Sequence, residues 1–218
     1  KKTKMLHLKH LQNSASKSFR TFTSSYPLKE DLKPYSKRIN VLLSGHDFEE
    51  KHNKKKKKNG FINICYLGFL RDNIEINWLI QVANEKQIKL NFVGPIEDEN
   101  YFSNLRKNNA VKFYSPVKGK ELQNFISKFD IFLMPYKLDP INTKATVPAK
   151  LFQYLACGRP IVSSKLDNLI KLPPKFIYSS CNANEFIENI YKAKNEDSEH
   201  LYLERVKFAS NYNWDNVG

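Results

Sequence analysis

Lys137, Asp139, Thr143, Lys144 and Thr146 fall in one polar stretch of the chain, and Pro148 and Lys150 follow directly after it. These residue types at this spacing suit the holding of an anion. A helix N-terminus leaves its first backbone N–H groups without partners and carries a partial positive charge, so a phosphate there gains roughly 0.3 to 2 kcal/mol. Pro148 suits the first helical position, where its missing N–H costs nothing, and Thr146 suits the cap before it. Lys144 and Lys150 then add positive charge at the end where a helix least favours it, a misfit that an anion would relieve. The same spacing also fits an ordinary capped helix in a lysine-rich chain.

The elements that position this stretch are legible on either side. Residues 131–134 form a short apolar run and residues 160–162 a second one, which makes the order strand, loop, helix, strand. That order recurs. Strands are expected at 61–67, 90–93, 111–114, 131–134, 160–162 and 175–178, and helices at 76–83, 101–105, 122–126, from 148, at 183–192 and from 198. Apolar strands alternating with helices imply an α/β, Rossmann-like parallel sheet covered on both faces. Ligands of such sheets bind beyond the carboxyl ends of the strands. The loops after Leu67, Val93, Tyr114, Met134 and Val162 should therefore share one rim. That rim gathers Gly68, Arg71, Gly94, residues 115–118, the 137–146 loop and the helix from Pro148. Gly68 lets backbone approach a ligand, and Arg71 can hold a phosphate through two parallel bonds.

The 218 residues carry a net charge of +14, and the charge is uneven. Residues 1–58 hold sixteen Lys or Arg against five Asp or Glu, a balance of +11, which leaves +3 for the other 160 residues. Five consecutive lysines, 54–58, read as a solvated, self-repelling linker or as a contact to anionic lipid. No aromatic interleaving accompanies them, so nucleic acid is not an expected partner. Cys65, Cys157 and Cys181 have no metal-like spacing and read as reduced thiols of a cytoplasmic protein. No run of apolar residues is long enough to span a membrane, and no signal-peptide pattern is present.

The run Pro148, Lys150, Leu151, Phe152, Tyr154, Leu155, Ala156, Gly158, Pro160, Ile161 and Val162 resembles the donor-binding motif of GT-B glycosyltransferases, within them the group 1, family 4-like bacterial enzymes of polysaccharide assembly. The resemblance implies that residues 61–218 are the nucleotide-sugar-binding domain. It implies donor phosphates near Gly68 and Arg71, a base held by Ser115, Pro116 and Val117, and a diphosphate at Lys150 with Thr143, Lys144, Thr146, Val147 and Pro148 around it. Lys150, Lys144 and Arg71 would stabilise the leaving group. The ribose position, usually Glu, is Gln153, which can still accept a hydrogen bond but brings no charge. The acidic residue expected eight positions before it is Ala145; Asp139 lies nearby in the same loop. The Lys-Gly pair often seen after the first strand is replaced by Asp72 and Asn73.

The leading segment resembles the close of the family's acceptor-side domain, over residues 1–45, with a basic linker at 46–60. It shows helix-like stretches near 5–11 and at 26–32 and strand-like runs at 19–23 and 39–43, elements expected to lack a sheet of their own. His46 falls in a variable turn and is not expected to be catalytic; the catalytic base is expected outside this sequence. Trp214 sits where the family's Ala-x-x-x-x-Trp segment leads back to the first domain and is expected either packed or exposed. The function expected is sugar transfer from a UDP-type donor to a glycan or lipid-linked acceptor, in the cytoplasm, either free or peripheral at the inner face of the plasma membrane. No cofactor and no metal are expected, because no Asp-x-Asp motif is present, and this chain by itself is expected to be inactive. The rival reading is an inactive GT-B-like assembly module; an epimerase on the same fold lacks its carboxylates and histidine.

Overall fold

The computed structural model describes residues 2–49, 60–139, 147–166, 169 and 172–217. Among these, six strands form one parallel sheet: β3 (Ile62–Leu67), β4 (Ile88–Val93), β5 (Val111–Tyr114), β6 (Ile131–Met134), β7 (Ile161–Ser164) and β8 (Ile177–Ser180), in the spatial order β5-β4-β3-β6-β7-β8. The order steps outward from β3 to β5, then restarts at β6 on the other side of β3. Such a reversal leaves a crevice at the carboxyl ends of the strands beside it. The α/β, Rossmann-like expectation holds.

The strands are apolar on both faces because both faces are covered. Ile64, Leu90 and Ile131 point into one cluster, which α3 (Ile76–Ala83) and α7 (Ala183–Glu196) cover through Leu79, Val82, Phe186 and Ile190. Cys65, Val93 and Phe132 point into the other, which α5 (Gly119–Ile126), α6 (Leu151–Ala156) and α8 (Glu199–Ser210) cover through Ile126, Phe152, Leu155 and Ala209. Alternate residues thus reach opposite layers, as strand geometry requires. A four-residue helix, α4 (Ser103–Arg106), precedes β5.

Asn182 and Ser198 cap α7 and α8 by accepting the N–H groups of Glu185 at 2.9 Å and Leu201 at 3.2 Å. β8 begins two residues later than expected. Lys175 stands at φ 66°, outside extended geometry, and its carbonyl accepts from buried Arg205, so the strand starts beyond it.

The leading unit comprises α1 (Lys2–Lys17), β1 (Thr21–Thr23), α2 (Tyr26–Leu32) and β2 (Ile39–Val41). Here the expectation of elements without a sheet is corrected: β1 and β2 pair in parallel, with Thr21 opposite Ile39. The connection through α2 is long enough to bring the two strands side by side. Ser25 caps α2, accepting from Leu28 at 3.3 Å. The segment following β2 is no loose tether over 46–49, since His46 and Phe48 are buried against the main body. The five lysines at 54–58 lie outside the described residues.

Candidate nucleotide-sugar site

A cleft of about 380 Å³ opens at the carboxyl ends of β3, β4 and β5. Its floor is made by two glycines. Gly68 follows β3 at φ 144° and Gly94 follows β4 at φ 139°, and a Cβ built on Gly94 would stand 2.2 Å from the Gly68 carbonyl oxygen. The backbones meet where no side chain fits, so the floor is bare main chain. Gly68 N–H donates to Val93 and Gly94 N–H to Tyr114, which keeps both turns in register with the sheet.

Lys150 stands over this floor. Its Nζ lies 3.2 Å from the position a Gly68 Cβ would take, so the ammonium rests against the Gly68 turn. Tyr154, one helical turn on, anchors the Lys150 backbone. The Tyr154 N–H donates to the Lys150 carbonyl at 3.0 Å, placing both residues on one face of α6. The Tyr154 hydroxyl accepts the Leu67 N–H at 2.9 Å and lies 3.2 Å from the Leu67 carbonyl, tying α6 to the end of β3. The Tyr154 ring stacks on Phe132 of β6 at 4.2 Å, so three elements converge beneath the lysine.

Electrostatics mark the same residue. Burial pulls the Lys150 ammonium below its ordinary pKa, and no acidic neighbour offsets that shift. Among the described residues Lys150 makes no ion pair. A half-buried cation without a carboxylate is costly, and an anion in the cleft would offset the cost. Pro116, Val117 and Leu122 make an apolar wall, and Gln153 lines the cleft one turn inside α6.

The structure therefore brings together Gly68, Pro116, Val117, Lys150 and Gln153, together with Gly94. Other expected residues fall elsewhere. Arg71 pairs with Glu97 at 2.7 Å and lies 4.8 Å from the Phe69 ring, half-exposed and outside the cleft lining. Ser115 and Asp139 are not lining residues. Val147 packs at the edge of the second core cluster, and Pro148 is buried with its carbonyl accepting from Leu151. Thr143, Lys144 and Thr146 lie outside the described residues.

The helix entrance differs from its expected form. α6 starts at Leu151, and Lys150 is its cap residue without a side-chain cap bond. Pro148 thus precedes the helix instead of opening it, because residues 149 and 150 form a turn. Ser44, Gly45, Phe69, Pro95, Leu122, Ala149 and Trp214 also line the cleft and were not picked out from the sequence. The available signal for two of them was the pairing of a Gly after one strand with a Trp at the chain's far end.

The sheet order and the cleft at its carboxyl ends are those of an α/β, Rossmann-like domain. A family model described as glycosyl transferases group 1 matches residues 62–194, and the chain belongs to that family. It is 27% identical over 161 residues to TuaH of Bacillus subtilis (strain 168), named for a teichuronic acid biosynthesis glycosyltransferase; the match covers 70% of this chain and 40% of TuaH. The crystal structure of Anabaena Alr3699/HepE in complex with UDP-glucose superposes with a TM-score of 0.74 at 15% identity, over 96% of this chain and 64% of that one. A mutant of S. aureus TarM in complex with fondaparinux, alpha-GlcNAc-glycerol and UDP gives 0.64 at 14% identity, over 96% and 44%. At these identities the structural likeness speaks for the fold. The chain spans less than two thirds of the length of these relatives.

Proposed function

We propose that this chain is the donor-binding part of a glycosyltransferase that moves a sugar from a UDP-type donor to a glycan or lipid-linked acceptor in surface polysaccharide synthesis. The observation that carries the reading is the Lys150 ammonium, held against the Gly68 turn with burial but no acidic partner to balance it. Transfer breaks the bond between the anomeric carbon and the diphosphate oxygen, leaving negative charge on that oxygen. A fixed cation beside it stabilises that charge more in the transition state than in the bound donor. Gln153 would accept from a ribose hydroxyl, and Pro116 and Val117 would flank the base. This assignment puts leaving-group neutralisation on side chain and backbone, with no metal required.

TuaH's name and the UDP-glucose and UDP complexes of HepE support the donor class. Residues 1–45 we assign to the close of an acceptor-side domain, a reading supported by the exposed side chains of Phe19, Phe22, Tyr26 and Tyr35. None of the described helices is long and apolar enough to cross a membrane, and a peripheral contact through the basic segment is part of the same reading.

Calorimetric titration with UDP, without and with magnesium, tests the site. Lys150→Ala should weaken UDP binding by about 1–3 kcal/mol, the range for charged hydrogen bonds. The pH dependence has a definite sign. Lys150 binds an anion in its protonated form and releases its proton at lower pH than an ordinary lysine, so affinity is full on the acid side and falls as pH rises through that lowered value. Lys150→Arg, which stays charged, should push the fall to higher pH. An affinity indifferent to Lys150→Ala removes Lys150 from the site, and a folded chain that binds no UDP overturns the donor reading.

A further inference from the structure

The far end of the chain places in the cleft an aromatic side chain to which the donor reading gives no role. Trp214 opens α9 (Trp214–Val217), and its N–H donates to the His46 carbonyl at 3.0 Å. The His46 N–H in turn donates to the Tyr212 carbonyl at 2.9 Å. The His46 ring secures this junction: Nε2–H donates to Ala209 O at 2.9 Å and Nδ1 accepts from the Phe48 N–H at 3.1 Å, which defines one neutral tautomer.

The indole lies flat against Gly45, where a Cβ would meet Cδ2 at 2.7 Å. Yet Trp214 is 53% exposed and lines the cleft with Ser44, Lys150 and Gln153. It is held on one side and open on the other, so little side-chain freedom is left for a ligand to remove.

Its place along the cleft follows from the segment beneath it. Glu49 N–H donates to Gln123 Oε1 at 3.2 Å on α5, and His46 and Phe48 share a second cavity, of about 270 Å³, with Ala156 of α6. The segment thus crosses α5 and α6, the helices that supply Leu122 and Gln153. A nucleoside diphosphate needs a cation for its phosphates and a flat apolar slot for its base. Lys150 offers the first, and Trp214 with Pro116 and Val117, which line the same cleft, offer apolar surface for the second.

We propose that the indole of Trp214 is the stacking wall for the nucleoside end of the ligand in this cleft, an inference that rests on the nucleotide-sugar reading. Stacking tolerates any base, since every base has a π-face. Trp214 therefore contributes affinity for the nucleoside, and it does not choose uracil.

The test titrates the chain, Trp214→Ala and Trp214→Phe with UDP, ADP and inorganic pyrophosphate, by calorimetry and by tryptophan emission. The chain holds two tryptophans, and the other, Trp78, packs beside Phe186 in the opposite layer. UDP should change the emission of the native chain and leave that of Trp214→Phe unchanged. Trp214→Ala should weaken UDP and ADP alike by about tenfold, in keeping with base–aromatic stacking, with pyrophosphate unaffected and Trp214→Phe keeping most of the affinity. UDP binding by Trp214→Ala at native strength overturns the proposal, as does an equal loss for pyrophosphate. If Lys150→Ala weakens UDP while Trp214→Ala does not, this inference alone falls; if the native chain binds no UDP, it falls together with the donor reading.

Discussion

The six-stranded body and the leading unit are built from the same parts, parallel strands joined through helices, and they differ in what covers them. Every residue of β6 is buried, and Phe132 has a layer of side chains against its ring. β1 and β2 show one buried residue between them, Thr23. Phe19, Phe22, Tyr35 and Leu42 of the leading unit stand exposed, Phe19 at 79%. A parallel pair is a stable arrangement when both faces are packed. The same backbone pattern is thus a core in one region and an uncovered face in the other.

Substitutions can break that contrast or sharpen it. The largest effect is expected at Phe132→Ala, which removes a fully buried ring stacked on Tyr154 and should cost about 3–5 kcal/mol in urea unfolding. A cost under about 1 kcal/mol would mean that the body is not packed as described. Next comes Gly94→Ala, where the new methyl meets the Gly68 carbonyl oxygen and φ lies in the left-handed region. A loss of roughly 2–3 kcal/mol is expected, together with loss of UDP binding as the floor of the cleft shifts. Gly119→Ala is its control: φ is 58° but nothing lies within 4 Å, so strain acts alone and about 1 kcal/mol is expected. The smallest effect belongs to the leading unit. Phe22→Ser at an exposed position should change stability by no more than about 0.5 kcal/mol, and a loss several times larger would show that face to be covered in solution.

Much of the fold was legible because its signals are local. Helices 26–32 and 76–83 and strands 111–114 and 131–134 stand where their apolar spacing and flanking turns put them. Part of the cleft was legible too, since the carboxyl ends of neighbouring parallel strands must share a rim: Gly68, Gly94, Pro116, Val117, Lys150 and Gln153 meet there. What was not legible depends on partners distant in sequence. Arg71 looked like a phosphate ligand, but Glu97, from the loop after the neighbouring strand, is within reach of its guanidinium. The helix starts late, at Leu151, because residues 149 and 150 form a turn closed by the Leu151 N–H on the Pro148 carbonyl, ahead of the helical bond from Tyr154 to Lys150.

The chain's ends show the limit most clearly. In the sequence His46 marks only a variable turn, and Trp214 a residue either packed or exposed; Ser44 and Gly45 carry no signal of their own. In the structure Ser44, Gly45 and Trp214 form one wall, joined by the His46 bridges across more than 160 positions of sequence.

By itself the sequence determined the class of fold, the rim formed by the carboxyl ends of the strands and the family, because period, turn chemistry and a contiguous motif are all written within a few tens of residues. Only the tertiary structure decided which cation faces the cleft without a counter-charge, which arginine is already paired, and which tryptophan stands open beside it. Those outcomes depend on distances between side chains brought together by packing, and no local pattern carries them.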